Sequence, residues 1–568
     1  MLFNRINNWL TGHPAITGLL LFLLCLIFFG WLEYSWTLAD PDSFYHIKIA
    51  KLIGEQGLVY DFPYLPFTTL KTGYIDHHLL YHLYLVPFVK LFSPLIGAKI
   101  GHILLVSLAL LTLYWLLVKF KVLGAQWYII FLFFVEPFIF RLGLVKAQPL
   151  SLLILFLGIY LIIQQKYYWL TLLSVVYVWS YGGWFLMFIL AGVYVLVASL
   201  DLALTKTKDH QLSRVINWRP KKTDIIDRFY IFLVNLIKNI FRLNHIKLVA
   251  SVMIGLILGL VINPYFPKNL EFYYIHIIKI ALVNYQAVIG VGAEWYPYAV
   301  SDFFINNALP FGLSLVAIFL FLNYHRHFNL KAKYTLALLL VFILATIKSR
   351  RNIEYIAPLA VIFSALTFSQ AMTICELKND LKEFKRIVVK VFFHDCYTRI
   401  LLVVVVVVVI GGAGYQMPYQ AKQSLGHGFN FNYLKSASDY LASHSQTGDV
   451  VVHSDWDEFP VLFYHNSKNY YMAGLDPTFM YLFNQDLYTK WVAITRGQNT
   501  DELFKVVSED FGAKYVLATT DHQEMIRSLD NNIFFAKVYS DSEAVIYQVL
   551  NQLEVRPMSD YQKIGDVK

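Results

Sequence analysis

The 568-residue sequence predicts a polytopic α-helical membrane protein with a soluble α/β domain after its last span. Three observations predict it. Only 15% of residues are charged, against about 25% in soluble chains, while 57% are hydrophobic and 17% aromatic. Apolar runs of roughly 17–25 residues, the length that crosses a bilayer, recur through positions 1–415. Beyond them the pattern shifts to short apolar strands and amphipathic helices.

Candidate spans lie near 15–36, 99–118, 126–142, 148–164, 167–181, 184–201, 247–263, 303–323, 333–347, 353–372 and 399–415, about 11 in all by the length criterion. The first is not read as a cleaved signal, since it is long and its flank "WLEYSWTLAD" lacks a small-residue cleavage site. Lys and Arg gather in alternate loops: Arg5, "KFK" at 119–121, Lys166, the segment 206–247, "HRHFNLKAK" at 325–333 and "KNDLKEFKRIVVK" at 378–390. If the helices alternate, these loops share one side, which the positive-inside rule makes cytoplasmic. The net charge of +9 is therefore an orientation signal, and no nucleic-acid partner is expected. Three cysteines, Cys25, Cys375 and Cys396, imply no disulfide framework.

The stretch "HHLLYHLYLVPFVKLF" (77–92) is apolar enough to span, but counting it would move "KFK" and later basic loops outside. It is read as an interfacial helix, with His77, His78 and His82 on its polar side. The membrane domain (1–415) then has a first outer loop (37–98) and a middle outer loop (264–302), and the extracytoplasmic domain covers 416–568. In that domain "DVVVHS" and "AKYVLATT" read as strands, and "NYLKSASDYLASH" and "TDELFKVVSEDFG" as amphipathic helices. No internal repeat is evident, which weighs against a lipid or glycan transporter built from repeated halves.

Ionisable residues at a membrane boundary mark candidate chemistry. In "ADPDSFYHIKIAKLI", Asp40 before Pro41 reads as a helix cap. Asp42 and His46 share a helix face at i,i+4, where they could bind a divalent cation or orient an acceptor. "GYIDHHLLYH" adds Asp76 and His77, donors that suit a metal such as Mn²⁺. "VGAEWYPYAVSDFF" places Glu294 alone among aromatics in the middle loop. In "KSRRNIEYIAPLA", Lys348, Arg350 and Arg351 defy the orientation rule, which points to an anionic ligand such as a lipid phosphate. Glu354 is the expected partner for one of them. "HSDWDEFPVLFYHNSKNYYMAGLDPTFMY" packs Asp455, Trp456, Asp457, Glu458 and Asp476 after a strand, where loops commonly carry function.

In order along the chain, these stretches resemble the catalytic subunits of oligosaccharyltransferases, membrane glycosyltransferases of the C type. That family's Asp-x-x-(Phe/Tyr)-(Asn/His)-x-Arg pattern resembles Asp42-Ser-Phe-Tyr45-His46-Ile-Lys48, with Lys for Arg. Its Trp-Gly-Gly-Tyr turn resembles "SYGGWF", its middle-loop Glu would be Glu294, and its Arg seven residues before a Pro would be Arg351 before Pro358. Its Trp-Trp-Asp-x-Gly element corresponds to Asp455-Trp456-Asp457-Glu458-Phe459, and the pattern that follows it resembles "NSKNYYMAGLDPTF". The family's second acidic motif has no counterpart, because that loop reads "RLGLVKAQPLS". The span count is also about two short of the family's usual number.

The resemblance implies a C-type architecture and an inverting transfer of a sugar or oligosaccharide from a polyprenyl phosphate or diphosphate to a protein or glycan acceptor outside the cytoplasm. It implies Asp42 and Glu294 as catalytic residues, Arg351 and Arg350 on the lipid phosphate, and Trp456 and Asp457 on the acceptor. A divalent cation, Mn or Mg, would be held by Asp42 with Asp76 or His77; alternatively, the reaction runs without a bound metal. Related readings are a transferase using a monophosphate-linked sugar and a glycan ligase acting on lipid or polysaccharide. The expected location is a bacterial inner membrane.

Overall fold

The computed structural model describes residues 2–212, 222–374, 377, 378, 382, 416–498 and 501–550. The apolar runs form helices whose buried and exposed faces are both apolar, as lipid contact on one side and protein contact on the other require. In Pro14–Leu32, Leu21, Cys25, Phe29 and Leu32 are buried while Leu19, Leu23 and Ile27 lie exposed. Among the described residues six helices are long and apolar enough to cross a membrane: Pro14–Leu32, Pro94–Lys119, Leu186–Thr205, Leu243–Val261, Leu330–Lys348 and Arg350–Ala371.

Two further expected spans are each broken in two. Ala125–Leu132 and Glu136–Leu142 meet at 81°, and Val300–Asn306 and Ala308–Asn323 at 77°, giving up to eight spans if each pair counts as one. Gln148–Ile163 and Tyr167–Ser180 have only 16 and 14 residues. The expected span 399–415 lies outside the described residues. Tyr167–Ser180 packs tightly on Leu243–Val261 because the latter offers glycines. A Cβ on Gly255 would stand 2.4 Å from the Thr171 carbonyl oxygen, and one on Gly259 would stand 2.9 Å from Val178. Small residues let helix backbones approach in this way.

The segment between the first two spans folds into helices Asp42–Gln56 and Leu79–Leu91, packed on each other. The expectation that Leu79–Leu91 presents its histidines to a membrane surface is corrected. His78 and His82 are buried, and His82 is bonded inward to His46 and Asp76.

The C-terminal domain carries, among the described residues, strands β3 (Val450–His453), β4 (Tyr470–Tyr471), β5 (Ala513–Thr519), β6 (Phe535–Ser540) and β7 (Ala544–Val549). They form one mixed sheet in the order β4-β3-β5-β7-β6. β3 runs parallel to β4 and β5, while β7 runs antiparallel to β5 and β6. Both strands expected from sequence are β3 and β5. The amphipathic segment 432–444 yields helix Lys435–His444.

This domain is docked on the first loop. The short strands β1 (Thr37–Leu38) and β2 (Phe429–Asn430) pair antiparallel. Helix Phe459–His465 lies on Asp42–Gln56 through Phe44, Tyr45, Phe463 and Tyr464. The Tyr471 N–H donates to the Tyr64 carbonyl at 2.8 Å, and the Thr69 N–H to Phe479 at 3.2 Å. A cavity of about 350 Å³ opens at this junction.

Candidate active site

The cavity draws its lining from most of the regions singled out in the sequence: Asp40 and Asp42, His77, Glu294, Arg351, and Trp456 with Asp457. Asp42 opens a helix, where a carboxylate is favoured by the dipole. Asp40 is not the expected helix cap, since Pro41 holds that position. One of its oxygens accepts from the Asp42 N–H at 2.8 Å, and the other meets the Lys146 ammonium at 2.8 Å. Lys146 also stands 2.8 Å from Asp42 Oδ2. Burial alone would lower the Lys146 pKa, but Asp40, Asp42 and Glu294 outweigh it and hold the ammonium above its ordinary value. Burial pushes Asp40 up to about 6 with Lys146 opposing, so it is still ionised at neutral pH.

Glu294 is clamped from two sides. Arg351 donates to Oε1 at 3.0 Å and Arg141 to Oε2 at 2.9 Å. Burial pushes this carboxyl up, yet Arg351, Lys146 and Arg141 together hold it well below the usual carboxylate range. Arg351 also lies over the Trp295 ring at 4.7 Å. The Glu354 partner expected for Arg350 or Arg351 is Arg141 instead, at 2.9 Å. Arg141 Nη2 is buried without a hydrogen-bond partner. Arg350 turns away to the Tyr296 and Pro297 carbonyls, both at 3.3 Å, and does not line the cavity.

On another wall, Asp76 accepts from His82 Nδ1–H at 2.8 Å, and His82 Nε2 lies 2.7 Å from His46 Nδ1. A carboxylate only accepts, so with one proton per ring His82 Nε2 accepts from His46 and leaves His46 Nε2 bare. Burial first, then His82 and Lys146, keep His46 neutral. His46 lines the cavity and Asp76 does not. His77 packs between His78 at 4.0 Å and His276 at 5.2 Å, with burial pushing it down to about 4. Gly182 of the "SYGGWF" turn makes room for this pair, since a Cβ there would stand 2.7 Å from His276 Nε2.

A divalent cation requires several oxygen or nitrogen donors converging on one point. Among the described residues no three His, Cys, Asp or Glu side chains do so. Of the ligands expected from sequence, Asp42 with Asp76 or His77, Asp42 and His77 line the cavity and Asp76 does not. Asp76 is bonded to His82, His77 is stacked on rings, and Asp42 faces Lys146.

The wall from the C-terminal domain separates scaffold from site. Asp455 and Glu458 form a reciprocal capping box, and the Glu458 carboxylate also accepts from Ser454 and Thr519. Trp456 and Asp457 face the cavity, as does Asp476. Burial, then Asp455, Glu458, Asp42 and Asp40, push Asp457 up to about 7; burial raises Asp476 to about 6.

Sequence reasoning missed Arg141, Lys146 and the His82 relay. The first two carried a usable signal. They are basic residues in "RLGLVKAQPLS", a loop that the charge pattern assigns to the non-cytoplasmic side, the same anomaly that singled out Arg350 and Arg351.

No protein-family model matches the chain, and no curated protein matches its sequence. Solved structures do match it. The oligosaccharyltransferase AglB from Archaeoglobus fulgidus, in complex with an inhibitory peptide and a dolichol-phosphate, superposes with a TM-score of 0.57 at 14% identity, over 96% of this chain and 75% of that one. ArnT from Cupriavidus metallidurans bound to undecaprenyl phosphate gives 0.53 at 14%, over 96% and 100%. The mycobacterial arabinofuranosyltransferase AftD gives 0.51 at 11%, over 95% and 40%. The chain has the fold of these polytopic C-type proteins, as expected from its motifs.

Proposed function

We propose that the chain is an inverting membrane glycosyltransferase. It would move a sugar or oligosaccharide from a polyprenyl phosphate or diphosphate to an acceptor on the non-cytoplasmic face. The observation that carries this reading is one cavity, at the junction of membrane helices and C-terminal domain, where Asp42, Glu294, Arg351, Trp456 and Asp457 converge. The fold shared with AglB and ArnT supports it, since those proteins were solved with dolichol-phosphate and undecaprenyl phosphate.

The roles follow from charge. The bond from anomeric carbon to phosphate oxygen breaks as the acceptor attacks, and the lipid phosphate leaves with the electron pair. Its growing negative charge calls for preorganised cations, and Arg351 and Arg141, which both line the cavity, meet that need. Asp42 keeps Oδ1 for the acceptor and its proton, while Oδ2 stays with Lys146. Glu294, with both oxygens on arginines, positions those cations and is a poor base. Trp456 and Asp457 meet the acceptor.

Purified protein incubated with a labelled lipid-linked glycan should release lipid phosphate and label an acceptor. Asp42→Ala should abolish transfer while leaving the protein inserted and folded; retained activity overturns the assignment. Movement of the glycan without cleavage would favour a transporter.

A second reading, transfer of one sugar from a monophosphate carrier to lipid or glycan, has its own support. The chain spans all of ArnT. Asp455 and Phe459, which replace the Trp and Gly of the acceptor motif, are occupied in a cap and in the core. Comparing monophosphate and diphosphate donors separates the two.

A further inference from the structure

We propose that the Lys146 ammonium is the built-in cation of this site, standing between Asp40 and Asp42 where a divalent metal would otherwise be held; the inference rests on the transferase reading above. Nζ lies 2.8 Å from an oxygen of each aspartate. A metal ion would contact the same two oxygens at about 2.0–2.2 Å. The ammonium and the ion therefore compete for one position.

Lys146 is not a surface lysine that has swung inward. It is buried in a loop of five residues between helices Glu136–Leu142 and Gln148–Ile163. Its neighbours Val145 and Ala147 are buried too, and its own N–H is tied to the Leu144 carbonyl at 2.6 Å. Gly143 lies against Leu425, so closely that a Cβ would stand 2.6 Å from that side chain. The loop is thus held from both sides, and the ammonium with it.

Burying a charge is expensive unless partners compensate it. Here the two partners are carboxylates that remain open to the cavity, with side-chain exposures of 23% and 36%. A pair serving packing alone would not keep its acidic half at the cavity wall. The loop that supplies the lysine, "RLGLVKAQPLS", offers no carboxylate of its own. The result is a fixed unit charge that chelators cannot remove. Both Asp40 oxygens are engaged, one by the Asp42 N–H and one by Lys146, while Asp42 Oδ1 is left for the acceptor.

The test uses Mn²⁺ alone, followed by electron paramagnetic resonance on the full-length protein in detergent after chelator treatment. Wild-type protein should take up no Mn²⁺ that Asp42→Asn displaces. Lys146→Met, which keeps the side-chain stem, should gain affinity by more than about tenfold, the least expected when a unit charge leaves the ion's position. Asp42→Asn added to Lys146→Met should cancel the gain. One equivalent bound by wild type and lost in Asp42→Asn would overturn the proposal, as would equal binding by wild type and Lys146→Met. If Lys146→Met fails to fold, the wild-type and Asp42→Asn pair still decides. None of these readouts needs a sugar donor, so failure to find transfer would sink the transferase reading while leaving the cation result standing. Where transfer is found, wild-type rates should be unchanged by excess chelator.

Discussion

Two polar networks reach the same cavity and are built on opposite terms. One is ionic: Glu354, Arg141, Glu294 and Arg351 form an alternating chain, with Asp40, Lys146 and Asp42 beside it. The other, Asp76–His82–His46, is a line of imidazoles ending in a carboxylate. The ionic network brings together segments more than a hundred residues apart, and each charge depends on another for its solvation. The imidazole line is local to the first loop and conveys direction: one acceptor at its end sets the tautomer of each ring. The ionic network should therefore be brittle to single substitutions, whereas the imidazole line should fail in smaller steps.

Arg141→Ala should produce the largest effect. It leaves Glu354 and Glu294 without their shared partner, and breaking a buried pair in this way costs about 3–5 kcal/mol. Thermal unfolding in detergent checks it, and Arg141→Ala with Glu354→Ala should lose less than Arg141→Ala alone. Next comes Asp76→Ala. It strips the acceptor from His82 and from the His78 N–H, for about 1–3 kcal/mol by the cost of unsatisfied buried donors.

A third prediction sets the C-terminal wall against both. The folded-state pKa of Asp457 is raised to about 7, above an unfolded value of about 3.9. The folded protein thus holds this proton more tightly. Asp457's contribution is fully present below about pH 4, falls as pH rises toward 7, and is level above that. Asp457→Asn should flatten that part of the stability–pH curve relative to wild type; an unchanged slope would contradict it. The smallest effect belongs to an exposed pair used as control. Lys435 and Asp439 are 49% and 57% exposed, and Asp439→Ala should cost no more than about 0.5 kcal/mol.

Much of the site was legible before any fold was known. Asp42, Glu294, Arg351, Trp456 and Asp457 all line the cavity. Trp456 and Asp457 stood out as part of an acidic run in the loop after a strand, and Asp42, Glu294 and Arg351 as charges near a membrane boundary, where they are costly. Arg350 carried the same signal and faces elsewhere, since composition cannot tell which of two adjacent arginines points inward. His78 and His82 looked like a polar surface stripe at helical spacing. A helix that buries polar residues against partners has the same spacing, and the partners come from other segments.

The sequence alone determined the membrane class, the positions of most spans, two strands of the C-terminal sheet and the kind of residue at the site. These follow from local rules of hydrophobic length, alternation and charge placement that act within some twenty residues. The tertiary structure decided which charges meet. Lys146 reaches Asp42 across 104 residues and Arg141 reaches Glu354 across 213, and only the packed fold makes such pairs neighbours. That step turned a loop with no carboxylate from a missing ligand into the source of the site's cation.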